Sequence, residues 1–522
     1  MGLNGPRSWL LIAGLTGVVG AATAPLAAQP VSGAAVRDSV RAYRAAHELE
    51  ILRELAALLA LPNVAADTES IRRNAEHIQA LLERRGVNAR LLEIEGGPPA
   101  VYGELPAPGA ERTVMVYAHY DGQPVDPTEW IGAPWQPVVR RGPVGAGAEV
   151  VPWEQLQAPL DPEWRLYGRS TGDDKAPIIG WLAALDALRA ASIPLSVDLK
   201  FFFEGEEEAG SPHLAALLEK HGALLEADVW LLCDGPVHPS RRMQVFFGAR
   251  GTTDLELTVY GPLRALHSGH YGNWAPNPLA RLVELIASMR GADGRILIAG
   301  YYDDVRPTTE AERAALAQVP PVEEQLRQEL GLVLAEGTEP IAAGILLPAL
   351  NLRGISGGHV GAAAANAIPV AARASIDFRL VPDQTPARVR EQVEAHVRRQ
   401  GYQIVREPPD LATRLAHEKI ARLEWGGGYP PARTALDLPV ARAVVEVIEE
   451  TLGAAIVRMP TLGGSVPMHL FQDLHGSPVI GVPIANHDNN QHAANENLRL
   501  QNLWDGIEVF AGILARLGAV WR

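Results

Sequence analysis

Thr113-Val-Met-Val-Tyr-Ala-His-Tyr-Asp121 is the stretch on which the fold turns. Its first six residues form a dense apolar run of the kind that a strand buried on both faces requires. The run ends on His119, and Asp121 follows two residues later, on the same face if the strand continues. Downstream, the apolar spacing predicts a helix over Ala176–Ala190, a strand over Val197–Glu204, a helix over Pro212–His221 and a strand over Val229–Asp234. Upstream, helices are expected at Asp38–Leu61 and Ser70–Arg85, and strands at Ala89–Ile94 and Ala100–Glu104. This alternation reads as an α/β domain, a mixed central sheet flanked by helices. Functional groups in such sheets collect beyond the strand C-termini, where His119, Glu204–Glu208 and Asp234 all fall.

The pattern changes after Gly251. Thr252–Tyr260 and Ala374–Val381 alternate polar and apolar residues, with Ser375, Asp377 and Arg379 on one face, while Asn277–Met289 and Pro386–Arg399 have helical spacing. Tyr402–Arg406 adds a further short strand. Residues 251–408 are therefore expected to form an inserted α+β domain, an antiparallel sheet with helices on one side and an added helical stretch at Arg306–Glu339. Residues 29–250 and 409–522 form the two parts of the first domain, the second with a helix at Pro439–Leu452 and a strand at Val479–Val482. The Gly- and Pro-rich residues 131–165 lack periodicity and read as a long surface excursion.

The chain has 522 residues, a net charge of −15 and 47% apolar residues. That composition excludes disorder, and the acidic balance argues against a nucleic-acid partner. Cys233 is the one cysteine, so no intramolecular disulfide can form. Arg7, the apolar run Trp9–Ala22 and the small residues up to Ala28 read as a secretory signal peptide over residues 1–28. The expectation is an exported protein, periplasmic or secreted, with no membrane association after cleavage.

Five motifs carry ionisable side chains: Ala118-His-Tyr-Asp121, Gly168-Arg-Ser-Thr-Gly-Asp-Asp-Lys175, Glu204-Gly-Glu-Glu-Glu-Ala-Gly-Ser211, Cys233-Asp-Gly235 and His492-Ala-Ala-Asn-Glu496. Singly, each has an ordinary reading as a helix cap, a solvated helix start or a polar loop. Together they supply the imidazoles and carboxylates that bind Zn²⁺ or Mn²⁺, with an adjacent carboxylate free to act as a base.

In order and spacing these motifs resemble the dinuclear zinc metallopeptidases that include carnosinase, bacterial dipeptidase V, carboxypeptidase G and the desuccinylase/deacetylases. Asp-Asp-Lys and the aspartate at 234 are most similar to the dipeptidase/carnosinase branch. The resemblance implies two divalent metal ions per subunit, with Zn²⁺ expected and Mn²⁺ or Co²⁺ also accommodated. It makes Asp173 the bridging ligand, His119 and Asp234 the ligands of one ion, and Glu208 and His492 those of the other. Glu207 becomes the general base, Asp121 the partner that orients His119, and a cis peptide is expected between Asp173 and Asp174.

The same resemblance makes the inserted domain a lid through which a homodimer forms. It assigns substrate contacts to His267, given by the partner subunit, to Arg379 as the carboxylate anchor and to the Gly464–Ser465 loop. The implied reaction is hydrolysis of a peptide bond in short peptides, by a dipeptidase or carboxypeptidase-like exopeptidase, with a water between the two metals as nucleophile. An N-acyl amino acid amidohydrolase on the same site is the alternative. A metal-free binding protein on this fold would have lost a ligand or Glu207, and neither is lost.

Overall fold

Thr113–His119 is a strand near the middle of an eight-stranded sheet. In this computed structural model, which describes residues 1–3, 5 and 31–522, its neighbours are Asp198–Glu204 and Val229–Leu232, both parallel to it. The full order is Asn88–Leu92, Ala100–Leu105, Asp198–Glu204, Thr113–His119, Val229–Leu232, Val479–Gly481, Gln244–Phe246 and Val457–Met459. Ala100–Leu105 runs antiparallel to Asp198–Glu204, so the sheet is mixed, as expected. The expected signal segment, including Trp9–Ala22, lies outside the described residues apart from isolated positions at its start. Val31–Arg522 clusters as one unit.

The central strands are apolar on both sides because both sides are covered. On one, helices Gly33–Leu59, Thr68–Glu83, Ala176–Ala190, Pro439–Leu452 and Leu500–Val520 close over Val114, Val116, Phe201 and Leu231. Trp181 stacks on Phe510 within this layer at 4.2 Å between ring centroids. On the other, Tyr117, Phe202 and Trp230 meet Phe471 and the Leu214–His221 helix. Truncating one such buried aromatic ring costs about 3–5 kcal/mol. The register pairs His119 with Glu204 and Tyr117 with Leu232, so three strand ends finish at one level. This brings His119, the Glu204–Glu208 turn and Asp234 side by side. A Cβ at Gly205 would run into the Tyr120 ring, so this turn needs glycine there.

Residues 131–165 are more ordered than a surface excursion. Val138–Arg140, Val150–Val151 and Arg165–Tyr167 join Asn497–Arg499 in a four-stranded sheet, with Val139, Val151, Leu156 and Leu160 buried in the main core. Strands of two or three residues are too short to show a period, which is why the sequence conceals them. The small sheet ties this segment to the chain just after His492.

The inserted sheet has five strands, in the order Ala349–Ser356, Ala371–Leu380, Gly251–Tyr260, Lys419–Tyr429 and Tyr402–Val405. Helices Pro278–Met289 and Pro386–Arg399 cover one side, through Leu282, Met289, Val389 and Val393 against Leu255, Leu257 and Phe378. Two differences from expectation stand out. The sheet continues through Lys419–Tyr429, so the expected boundary at 408 falls inside it; Gly426–Gly428 and a bulge interrupt the alternation that would have marked this strand. Its edge pair, Tyr402–Val405 with Lys419–Tyr429, is parallel, because the chain crosses over through helix Leu411–Ala416 instead of turning back in a hairpin. The Arg306–Glu339 stretch contains helices Glu310–Leu316 and Glu323–Leu330, the first opened by a capping box between Thr309 and Glu312. Among the described residues, no helix is long and apolar enough to cross a membrane.

Candidate metal centre

Five chain segments meet at the strand ends. His119, fully buried, ends its strand with Nε2 2.8 Å from Asp173 Oδ1 and Nδ1 3.3 Å from Asp121 Oδ1. Asp121 does more than face the imidazole. Its Oδ1 accepts the Glu207 N–H at 3.1 Å and its Oδ2 the Glu208 N–H at 3.0 Å, so one buried carboxylate sets both the ring and the start of the acidic turn. The second Asp173 oxygen lies 3.1 Å from His492 Nε2, which is also 3.3 Å from Glu208 Oε2. Asp234 sits two residues beyond the Val229–Leu232 strand, buried in the same cluster. The Asp173–Asp174 peptide is cis.

The ligating atoms fall into two groups, His119 with Glu207 and Asp234, and Asp173 with Glu208 and His492; within each, the atoms lie within 4.8 Å of one another. Asp173 turns one oxygen to the histidine of each group. The Glu207 carboxylate stands beside His119 and Asp234, close enough to be counted among their ligating atoms.

The electrostatics fit cations. Burial and neighbouring carboxylates raise Glu208 and Asp234 to about 7, and burial followed by Asp234, Glu208 and Asp173 pushes Glu207 well up. Burial also pushes Asp173 up, but its bonds to His119 and His492 outweigh that and hold it low. His492 is raised to about 9, chiefly by Asp173. Oxygen and imidazole donors with this excess of buried negative charge suit two divalent ions.

Sequence reasoning brought these six residues together with Asp121 but missed their other supports. Glu496 is fully buried; its Oε1 accepts the N–H groups of Gly172 and Asp173, and its Oε2 accepts Ser170 N–H and Arg169 Nη1. Its position in the His492-Ala-Ala-Asn-Glu496 motif was the available signal. Lys175 Nζ donates to the carbonyls of Leu58 and Leu61 at the end of the first helix, where a cation is favoured. Gln491 and Gln123 donate to Asp173 and Glu208. No spacing in the sequence pointed to these two amides.

Among the expected substrate residues, Arg379 Nη1 donates to Ser465 Oγ at 2.8 Å. Arg379, Gly464 and Ser465 line a cavity of about 740 Å³ together with Asp173, Glu207 and His492. His267 does not line it; it is exposed in the inserted domain, with Nδ1 accepting the Gly269 N–H.

Residues 115–516 match the model of peptidase family M20/M25/M40. The Cys-Gly metallodipeptidase dug1 of Schizosaccharomyces pombe is 26% identical over 90% of this chain and 96% of its own length. The Beta-Ala-His dipeptidase of Homo sapiens is 26% identical over 80% of this chain and 78% of its own. Among solved structures, the M20 family metallo-carboxypeptidase Sso-CP2 of Sulfolobus solfataricus superposes with a TM-score of 0.73 at 29% identity, covering 90% of this chain and 99% of that one.

One expectation is overturned. The comparisons with known dipeptidases contradict the reading of an exported, periplasmic or secreted protein; the run on which that reading rested lies outside the described residues. The family match over most of the chain, joined to two ligand groups at the strand ends, leads to one conclusion: the chain belongs to peptidase family M20/M25/M40 and is a metal-dependent peptidase.

Proposed function

We propose that this enzyme is an exopeptidase acting on short peptides, dipeptides first, with a free C-terminal carboxylate. The observation that carries the reading is that the Glu207 carboxylate and the Arg379–Ser465 pair open into one cavity. A reacting group and a carboxylate anchor in the same space fit a substrate cut close to its C-terminus. The relatives named for Cys-Gly and Beta-Ala-His dipeptides support the same class.

His119, Asp173 and Asp234 would hold one divalent ion and Asp173, Glu208 and His492 the other, with Zn²⁺ favoured by the donor set. Such a pair, when bound, polarises a carbonyl and makes water acidic enough to lose a proton at neutral pH. Glu207 takes that proton at its carboxylate and returns it to the leaving amine. Burial suits it to this work, since it brings the carboxyl's proton affinity toward that of its donor. Asp121 holds His119 and the Glu207–Glu208 amides in place. Arg379 forms charge-assisted hydrogen bonds with the substrate carboxylate, and the Ser465 hydroxyl and Gly464 backbone complete that end.

The inserted five-stranded domain acts as a lid, and the enzyme works as a homodimer joined through it, with the partner subunit's His267 completing the oxyanion contacts. In support, Ala349–Ser356 is an edge strand whose Leu352 and Ile355 are exposed, as a pairing surface would be.

The test is Glu207→Gln in the metal-loaded enzyme, assayed on a panel of dipeptides and N-acyl amino acids. The expected result is dipeptide turnover by the wild type and loss of about 10²-fold or more in the variant, with metal content unchanged. Full activity of the variant would remove the base assignment. Turnover of N-acyl amino acids alone would replace the peptide reading with the amidohydrolase alternative.

A further inference from the structure

The lid sheet presents an unusual charge arrangement to the cavity. Along Ala371–Leu380, Ala374, Ile376 and Phe378 point into the core beneath the helices, while Ser375, Asp377 and Arg379 occupy the opposite face. Asp377 lies directly across from Asp254 on the neighbouring antiparallel strand, and Arg379 lies across from Thr252. All four line the cavity that also contains Glu207 and Asp234. Like charges placed directly opposite on paired strands destabilise a sheet.

The two aspartates are not equally compensated. Asp254 faces Arg353, with Nη1 3.3 Å from its Oδ2. Asp377 is only 8% exposed. Its Oδ2 is 3.4 Å from Arg379 Nη2, and its Oδ1 has no hydrogen-bond partner among the described residues. A buried carboxylate needs a full set of partners. Two cations stand near Asp377: Arg250, which acts on it through charge without a hydrogen bond, and Arg379, whose Nη1 is engaged by Ser465 and more of whose guanidinium a substrate carboxylate would claim. A bound substrate with no cation of its own would therefore leave Asp377 Oδ1 without a hydrogen-bond donor.

We propose that Asp377, flanked by Asp254, selects peptides whose C-terminal residue carries a positively charged side chain, namely lysine, ornithine or arginine. The substrate's carboxylate then meets Arg379 while its side-chain ammonium or guanidinium meets Asp377, so that charges alternate across the cavity. The proposal rests on the reading of Arg379 as the carboxylate anchor, which puts the C-terminal residue beside Asp377.

The experiment compares kcat/KM of the metal-loaded full chain for alanyl-lysine and alanyl-norleucine, which differ by the charged group alone. A charge-assisted contact predicts a preference of about ten- to a hundredfold for the lysine peptide. Asp377→Asn should bring the ratio close to one. If Asp377 only steadied Arg379, its loss would slow both peptides alike and leave the ratio intact, which would overturn the proposal. A wild-type ratio near one overturns it without any variant, so failure of Asp377→Asn to fold does not shield it. Calorimetric binding of free lysine against norleucine separates this proposal from the peptidase reading. Dipeptide turnover without lysine preference sinks the proposal alone. Lysine preference that Asp377→Asn removes, in an enzyme that cleaves no dipeptide, supports the pocket and sinks the peptidase reading. Neither turnover nor preference sinks both.

Discussion

Glu496 Oε1 accepts the backbone N–H of Asp173 at 3.0 Å, from the far side of the same residue whose carboxylate faces both histidines. One glutamate thus fixes the backbone that aims the shared ligand, and it also ties Ser170, Gly172 and Arg169 to the His492 loop. Removing it would leave three N–H groups and a guanidinium buried without their acceptor. Glu496→Ala should cost about 3–5 kcal/mol of stability, the usual loss when one partner of a buried pair is deleted. Denaturant unfolding of the chelated protein measures this, and an unchanged midpoint would contradict it.

Asp121 holds a ring and two amides at once. Loss of such an outer partner typically lowers metal affinity or activity about 10–100-fold. Asp121→Ala should fall in that range when zinc affinity is measured by competition with a chromophoric chelator. Wild-type affinity would mean that the ligands are held by other contacts.

Chelation should expose a pH dependence. Glu208 and Asp234 are raised to about 7 when folded, against about 4 when unfolded, so between these values the folded state binds the extra protons. Stability of the metal-free protein should therefore fall as pH rises from about 4 to 7. His492, raised to about 9 from an unfolded value near 6.5, acts in the same sense above that range: its contribution is full below pH 6.5 and disappears as pH passes 9. Asp173 acts oppositely, but only under acid conditions, because its carboxyl is held below the ordinary range. Unfolding free energies at pH 5.5 and 8 should show the metal-free protein weaker at pH 8. Added zinc should reverse that order, since its ligands must be deprotonated to bind.

Arg379 and Ser465 predict a dependence on the free carboxylate of the substrate. Arg379→Lys keeps the charge but loses the planar fork, and KM for a dipeptide should rise about ten- to a hundredfold. The same substitution should barely affect the corresponding dipeptide amide, whose terminus is neutral. Equal losses on both substrates would dissociate Arg379 from carboxylate binding.

The strand Thr113–His119 was legible because burial on both faces leaves a continuous apolar run, and the helices because their buried stripes recur every three or four residues. Lys419–Tyr429 was hidden by its glycines, and the sheet formed around residues 131–165 by strands too short to carry a period. At the site, the five motifs offered imidazoles and carboxylates, and their order, through its resemblance to a known family, singled out His119, Asp173, Glu208, Asp234 and His492. Glu496 and Gln491 did not stand out, since a buried acceptor or amide looks like any polar loop residue until its partners are known.

The order of the elements follows from the sequence alone, because local periodicity needs no partner from elsewhere in the chain, and the candidate ligands follow from the order of the five motifs and their resemblance to a known family. Which oxygen faces which histidine, how Glu496 supports Asp173 and how Asp377 comes to oppose Asp254 were decided only by the tertiary structure. Those relations depend on strand register and on contacts between segments from 54 to 323 residues apart, and no local pattern encodes a distance between segments that meet only when the sheet has formed.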